Sequence, residues 1–197
     1  MPTVFITGAS RGIGKTAAKL FAEAGWDLLL AARNEKALSA LTNELSYTER
    51  IIKYKSMDLS NSSEVSADIK DFLDQGELPS VLINNAGVAW TGDLLSMSLD
   101  SWQWIIQMNL TSVFQVCAAV IPSMRSRGGL IINVSSHAAI NAFPKWGAYC
   151  TTNAALASFT KCLAAEAILN GIRACTLTLR SVDSHLWHTD TLHCDYV

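Results

Sequence analysis

The sequence predicts an α/β fold built as a doubly wound parallel sheet, and three observations point to it. A short apolar run, Thr3-Val4-Phe5-Ile6, passes through a glycine-rich turn into an amphipathic segment over 15–24. Later apolar runs are continuous, as in parallel strands covered on both faces. Segments of helical spacing separate them, so that six strands alternate with helices, the pattern of a sheet wrapped by helices on both sides.

After the first strand and helix, Trp26-Asp27-Leu28-Leu29-Leu30-Ala31-Ala32 reads as a fully buried second strand closed by Arg33. Ala37, Leu38, Leu41 and Leu45 carry helical spacing over 35–45, and 51–57 returns as a third strand ending at Asp58. Asn61 or Ser62 is the expected cap of a helix running to Leu73, followed by a fourth strand over 79–83. Ser98 is the expected cap of a long helix over 102–124. Gly129 opens a fifth strand over 130–134, 148–169 forms another long helix, and 173–179 is the sixth strand. Right-handed crossovers would place ligands at the carboxyl ends of the strands, near the point where the strand order reverses. The expected organisation is one domain over 1–179 and an irregular tail over 180–197.

With 197 residues, half of them hydrophobic, the chain can bury a substantial core. A net charge of −2 and the absence of long charged runs give no electrostatic reason to expect nucleic acid or an anionic membrane as partner. Five scattered cysteines without a Cys-x-x-Cys pair argue against a disulfide framework. No leader precedes the first strand, so a cytoplasmic location is expected. The stretch 101–124 lacks charged residues and is long enough to cross a bilayer, but Gln103, Gln107, Asn109, Gln115 and Pro122 favour a buried soluble helix.

The turn Thr7-Gly8-Ala9-Ser10-Arg11-Gly12-Ile13-Gly14 spaces its glycines as Gly-x-x-x-Gly-x-Gly. It would present unpaired helix amides to a phosphate, although a tight strand-to-helix connection alone would also use glycines. Further polar residues fall at strand ends: Asp58, then Asn84-Asn85-Ala86-Gly87, then Ser135-Ser136. Each is also an ordinary turn former. His185, His188, His193 and Cys194 crowd the tail; a solvated tail is the preferred reading and no metal site is expected.

Taken together with Asn109 and Tyr149, these motifs stand in an order and spacing that resembles the short-chain dehydrogenase/reductase family, over residues 1 to about 179. The resemblance implies a Rossmann-like domain that transfers hydride between a nicotinamide cofactor and a small carbonyl or alcohol. Gly8, Ser10, Arg11, Gly12, Ile13, Gly14, Arg33, Asp58, Asn85, Ala86, Gly87, Tyr149 and Asn153 would hold the cofactor. Ser136, Tyr149, Asn109 and Asn153 would form the catalytic group. Ser136 is preferred over its alternate Ser135 because Tyr149 follows it by 13 residues, the better fit to the family interval. Homo-oligomers through the two long helices are a further implication.

Three departures accompany the resemblance. The family places a lysine four residues after the tyrosine, where its ammonium favours the phenolate; here that position is Asn153, which brings no charge but has an amide for a ribose hydroxyl. Lys145 and Arg180 are the alternative sources of a cation. The family usually has Pro-Gly after the sixth strand, where this chain has Leu179-Arg180. Members also usually add a strand and helix beyond the point where this chain stops, so its last sheet edge and substrate loop are expected to be incomplete. At the end of strand two, Arg33, with Arg11 nearby, favours NADP(H) through the 2′-phosphate, with NAD(H) as the alternative and an ordinary surface charge as the plain reading of Arg33.

Overall fold

The computed structural model describes residues 1–74, 78–180, 182 and 186. Six parallel strands form one sheet: β1 (Thr3–Thr7), β2 (Asp27–Ala32), β3 (Ile52–Ser56), β4 (Val81–Asn84), β5 (Gly129–Ser136) and β6 (Ile172–Leu179), in the order β3-β2-β1-β4-β5-β6. The chain starts at the centre, works outward to β3, then crosses to β4 on the other side of β1. The reversal of direction therefore lies between β1 and β4, and a cleft opens above their carboxyl ends.

The helices are α1 (Gly12–Glu23), α2 (Glu35–Glu44), α3 (Val65–Leu73), α4 (Leu99–Ile106), α5 (Ser112–Met124) and α6 (Gly147–Ala167). Period-2 alternation within each strand feeds two cores. Val4, Ile6, Leu28, Leu30, Val81 and Ile83 pack with α1 and α2, whereas Phe5, Leu29, Leu82, Ile131 and Ile172 pack with α3, α5 and α6. Apolar residues on both strand faces are what made the runs continuous. Beneath the second layer a buried polar chain runs through the core: Asn84 donates to Asn133 at 2.9 Å, Asn133 to Thr160 at 2.8 Å, and Thr160 to the Leu156 carbonyl at 2.7 Å.

Two elements depart from the sequence expectation. The 65–73 helix is capped by neither Asn61 nor Ser62: its N-cap is Glu64, without a side-chain cap bond, and the Asn61 side chain instead accepts from Ser63. The helix expected over 102–124 starts three residues earlier, capped as expected by Ser98, whose Oγ accepts from Ser101 N at 3.1 Å. It is interrupted by a π-helical turn at Gln107–Thr111, which carries Met108 and Asn109 inward. The 99–124 segment, the one among the described residues long and apolar enough to span a membrane, is a core helix here: Ile105, Val113, Val116, Cys117, Val120 and Met124 are buried.

Glycine is required where β1 turns into α1. Gly8 has φ +67°, and a Cβ on Gly14 would lie 2.3 Å from the Gly8 carbonyl oxygen. Backbone meets backbone there, so no flexible side chain can yield. Gly14→Ala is expected to cost about 1–3 kcal/mol of stability, read as a lower midpoint in urea unfolding with an unchanged slope.

Candidate active site

The cleft above β1 and β4 is a cavity of about 430 Å³, lined at one end by Gly8, Ser10, Arg11, Gly12 and Ile13 and at the other by Ser136, Tyr149 and Asn153. The local sequence explains the first end. Arg11 is the N-cap of α1 with extended backbone and no side-chain cap bond, so the first amides of the helix are left for a ligand. The turn is locked from above by the strand-four motif: Asn85 Nδ2 donates to the Thr7 and Gly8 carbonyls at 3.1 and 3.2 Å. Thr7 Oγ1 in turn accepts from Asn85 N and Ala86 N, both at 3.1 Å. Thr7 was read from sequence only as the first residue of the glycine turn; its bonding role has no local signal, because the partners lie 78 and 79 residues on.

The other end is built where β5 meets α6. Ser136 Oγ accepts from Ala138 N at 3.2 Å, which leaves its own proton to donate. Tyr149, in the first turn of α6, is buried with its ring edge-on to Trp146, centroids 5.9 Å apart. Asn153, one turn later, accepts from Ser135 Oγ and from Ser136 N, each at 3.0 Å, and donates to the Tyr149 carbonyl at 2.9 Å. Ser135 is thus tied to Asn153, whereas Ser136 faces the phenol.

Burial is the largest influence on the Tyr149 phenol and pushes it above its ordinary value; hydrogen bonding from Ser136 and Asn153 opposes this without overcoming it. Neither Lys145 nor Arg180 is among the groups acting on the phenol. Lys145 is exposed with φ +67°, and Arg180 lines the cavity from an exposed position after β6.

The remaining predicted residues fall in three groups. Arg33, Asn85, Ala86 and Gly87 line the cavity. Gly14 and Asp58 do not: Gly14 sits beneath the turn, and Asp58 accepts from Ser60 N and Oγ at 2.9 and 2.8 Å, the bonding of a turn former. Burial raises the Asp58 carboxyl, and the Ser60 bonds with the nearby Arg33 guanidinium outweigh it, so the net shift is downward. Asn109 lines the cavity, yet its amide grips the Val88 peptide from both sides at 2.8 Å and reaches Thr152 at 3.2 Å, the geometry of an anchor. His185, His188, His193 and Cys194 lie outside the described residues. The glycine cradle and the unpaired helix amides at Gly8–Ile13 fit the phosphates of a nucleotide, in the same cavity that Ser136, Tyr149 and Asn153 line.

The short chain dehydrogenase family pattern matches residues 2–194. A 3-oxoacyl-(acyl-carrier-protein) reductase of Chlamydia trachomatis is 35% identical over 186 residues, which is 93% of this chain and 75% of that protein. The short-chain dehydrogenase of Sphingobium yanoikuyae, solved in complex with NADPH, superposes with a TM-score of 0.88 at 30% identity, over 95% of this chain and 74% of that one. A short chain dehydrogenase/reductase of Burkholderia phymatum, solved with NAD, gives 0.89 at 26% identity, over 98% and 70% of the two chains.

Because burial disfavours the phenolate, Tyr149 is expected to keep its proton through neutral pH. Ultraviolet phenolate absorbance, with the Tyr149→Phe titration subtracted, should show it ionising above the ordinary tyrosine value of about 10. A midpoint below that value would mean that a cation reaches the ring.

Proposed function

The chain belongs to the short-chain dehydrogenase family, and on that premise we propose that it is an NADP(H)-dependent oxidoreductase acting on a small carbonyl or alcohol, with weakened turnover. One observation carries the reading: a phosphate cradle, a serine hydroxyl hydrogen-bonded to a phenol, and that buried phenol converge on a single cavity. When bound, NADP(H) supplies or takes up the hydride. In the reductive direction, Ser136 donates a hydrogen bond to the substrate oxygen and Tyr149 passes it a proton, so that the carbonyl becomes an alcohol. A phenol held in its protonated form suits this direction; alcohol oxidation needs the phenolate. Without an ammonium beside the ring, turnover is expected to fall by about 10² to 10⁴ from what a fully assembled general acid gives.

NADP(H) is favoured over NAD(H) by Arg11 and Arg33, both exposed at the cavity end where the adenosine ribose would lie. Asn34, next to Arg33, caps α2 through Ala37 N at 3.0 Å; Arg11 and Arg33 line the cavity here, while the nearby carboxylates Glu35 and Asp58 do not. Self-association through the outer faces of α5 and α6 belongs to the same proposal: Phe114 is 56% exposed and edge-on to Phe159 across the two helices. The missing cation favours one other reading, a nucleotide-binding or subunit-interaction protein without turnover.

The experiment is tryptophan-fluorescence quenching by NADPH, followed by NADPH absorbance against a panel of carbonyl compounds that includes a 3-oxoacyl thioester. Binding with slow turnover is expected; binding without turnover supports the second reading, and failure to bind either nucleotide overturns both. Arg33→Ala should weaken NADPH binding by roughly 10- to 100-fold, the loss of one charge-assisted hydrogen bond, and leave NADH binding unchanged.

A further inference from the structure

We infer that Asn153 is a positioning residue: its amide fixes Ser136 and Tyr149 to one another across the junction of β5 and α6, and it is not a ligand of the cofactor ribose. The inference rests on the oxidoreductase reading and assigns this position a task of its own. An asparagine side chain offers two acceptor sites and two hydrogens. Both acceptor sites are taken, by Ser135 Oγ and Ser136 N at 3.0 Å each. One hydrogen goes to the Tyr149 carbonyl at 2.9 Å, and hydrogen bonding from the same amide acts on the phenol. The residue is only 6% exposed, which limits competition from water for these bonds.

The three partners belong to the two residues of the proposed reaction and the one beside them. Ser136 ends β5 and Tyr149 begins α6; the backbone between them is held by short-range turns and by the bond from Gly92 N to the Lys145 carbonyl. Thr152 adds a bond from its hydroxyl to the same Tyr149 carbonyl at 3.0 Å. Asn153 therefore ties the strand end directly to the helix turn bearing the phenol, alongside the Ser136 hydroxyl that bonds the phenol itself. A lysine has donors and no acceptor. At this position it would leave the buried Ser135 hydroxyl and the Ser136 amide without their acceptor, so the surroundings are built for an amide.

The test uses Asn153→Ala, Asn153→Asp and Asn153→Lys in the full chain. Positioning predicts that Asn153→Ala lowers kcat for NADPH-dependent carbonyl reduction by roughly 10- to 100-fold, the penalty of misplacing reacting groups, with the Kd for NADPH unchanged. A ribose ligand predicts weaker NADPH binding instead, and that result overturns the inference. Asn153→Lys is expected to give no gain in kcat; a gain also overturns it. Amide hydrogen exchange requires no turnover. The Ser136 amide should lose protection in Asn153→Ala and keep it in Asn153→Asp, which retains the acceptor. Equal protection in wild type and Asn153→Ala overturns the inference, whatever the activity. If wild type shows no turnover while the Ser136 amide follows this pattern, the oxidoreductase reading fails and the clamp stands.

Discussion

The interlock of Thr7, Gly8 and Asn85 is the interaction on which the remainder depends. It joins two crossovers that are remote in sequence, and it does so with backbone groups on both sides: two carbonyls and a hydroxyl from the end of β1, two amides and a carboxamide from the end of β4. A parallel sheet leaves such groups unpaired at the carboxyl edge, where each strand turns away into a helix. Here they satisfy one another, and the glycine turn is held open as a result. The missing Cβ atoms at 8 and 14 let the chains approach; the Asn85 amide then keeps them there.

The same economy of polar groups runs through the core. Thr160 spends its proton on Leu156, so it must accept from Asn133; Asn133 then presents its oxygen, so Asn84 must present its nitrogen. Each step dictates the next amide orientation, and it leaves Asn84 Oδ1 as the acceptor without a protein partner. The chain fastens α6 to β5 and β4 close below Asn153. With Asn109 holding the loop after β4 through Val88 and Asn153 holding the end of β5, four asparagines fix the frame around the proposed reaction while Ser136 and Tyr149 line the cavity.

Electrostatics set the character of the site more than its shape does. A buried phenol resists ionisation, since burial disfavours the charged form and no cation is among the groups acting on it. Hydrogen bonds from Ser136 and Asn153 soften this and do not reverse it. Of the cations lining the cavity, Arg11 and Arg33 stand with the glycine turn and the end of β2, and Arg180 follows β6 without acting on the phenol.

The sequence by itself determined the sheet, because apolar runs and glycine spacing are local consequences of burial and backbone freedom. It also pointed to the polar strand ends around Gly8, Asn85 and Ser136, where turn-forming residues gather, and to Tyr149 through the family resemblance alone. It did not disclose the π-helical turn that brings Asn109 inward, the role of Thr7, or the cap at Glu64, each of which depends on what packs alongside. The bonds of Asp58 and Asn153 were likewise beyond it: one carboxylate accepts from Ser60, and one amide accepts from Ser135 and Ser136. A side chain with several donors and acceptors has no preferred partner in isolation. Only the folded neighbourhood decides which of its bonds are made, because the competing partners are brought within reach by tertiary contacts alone.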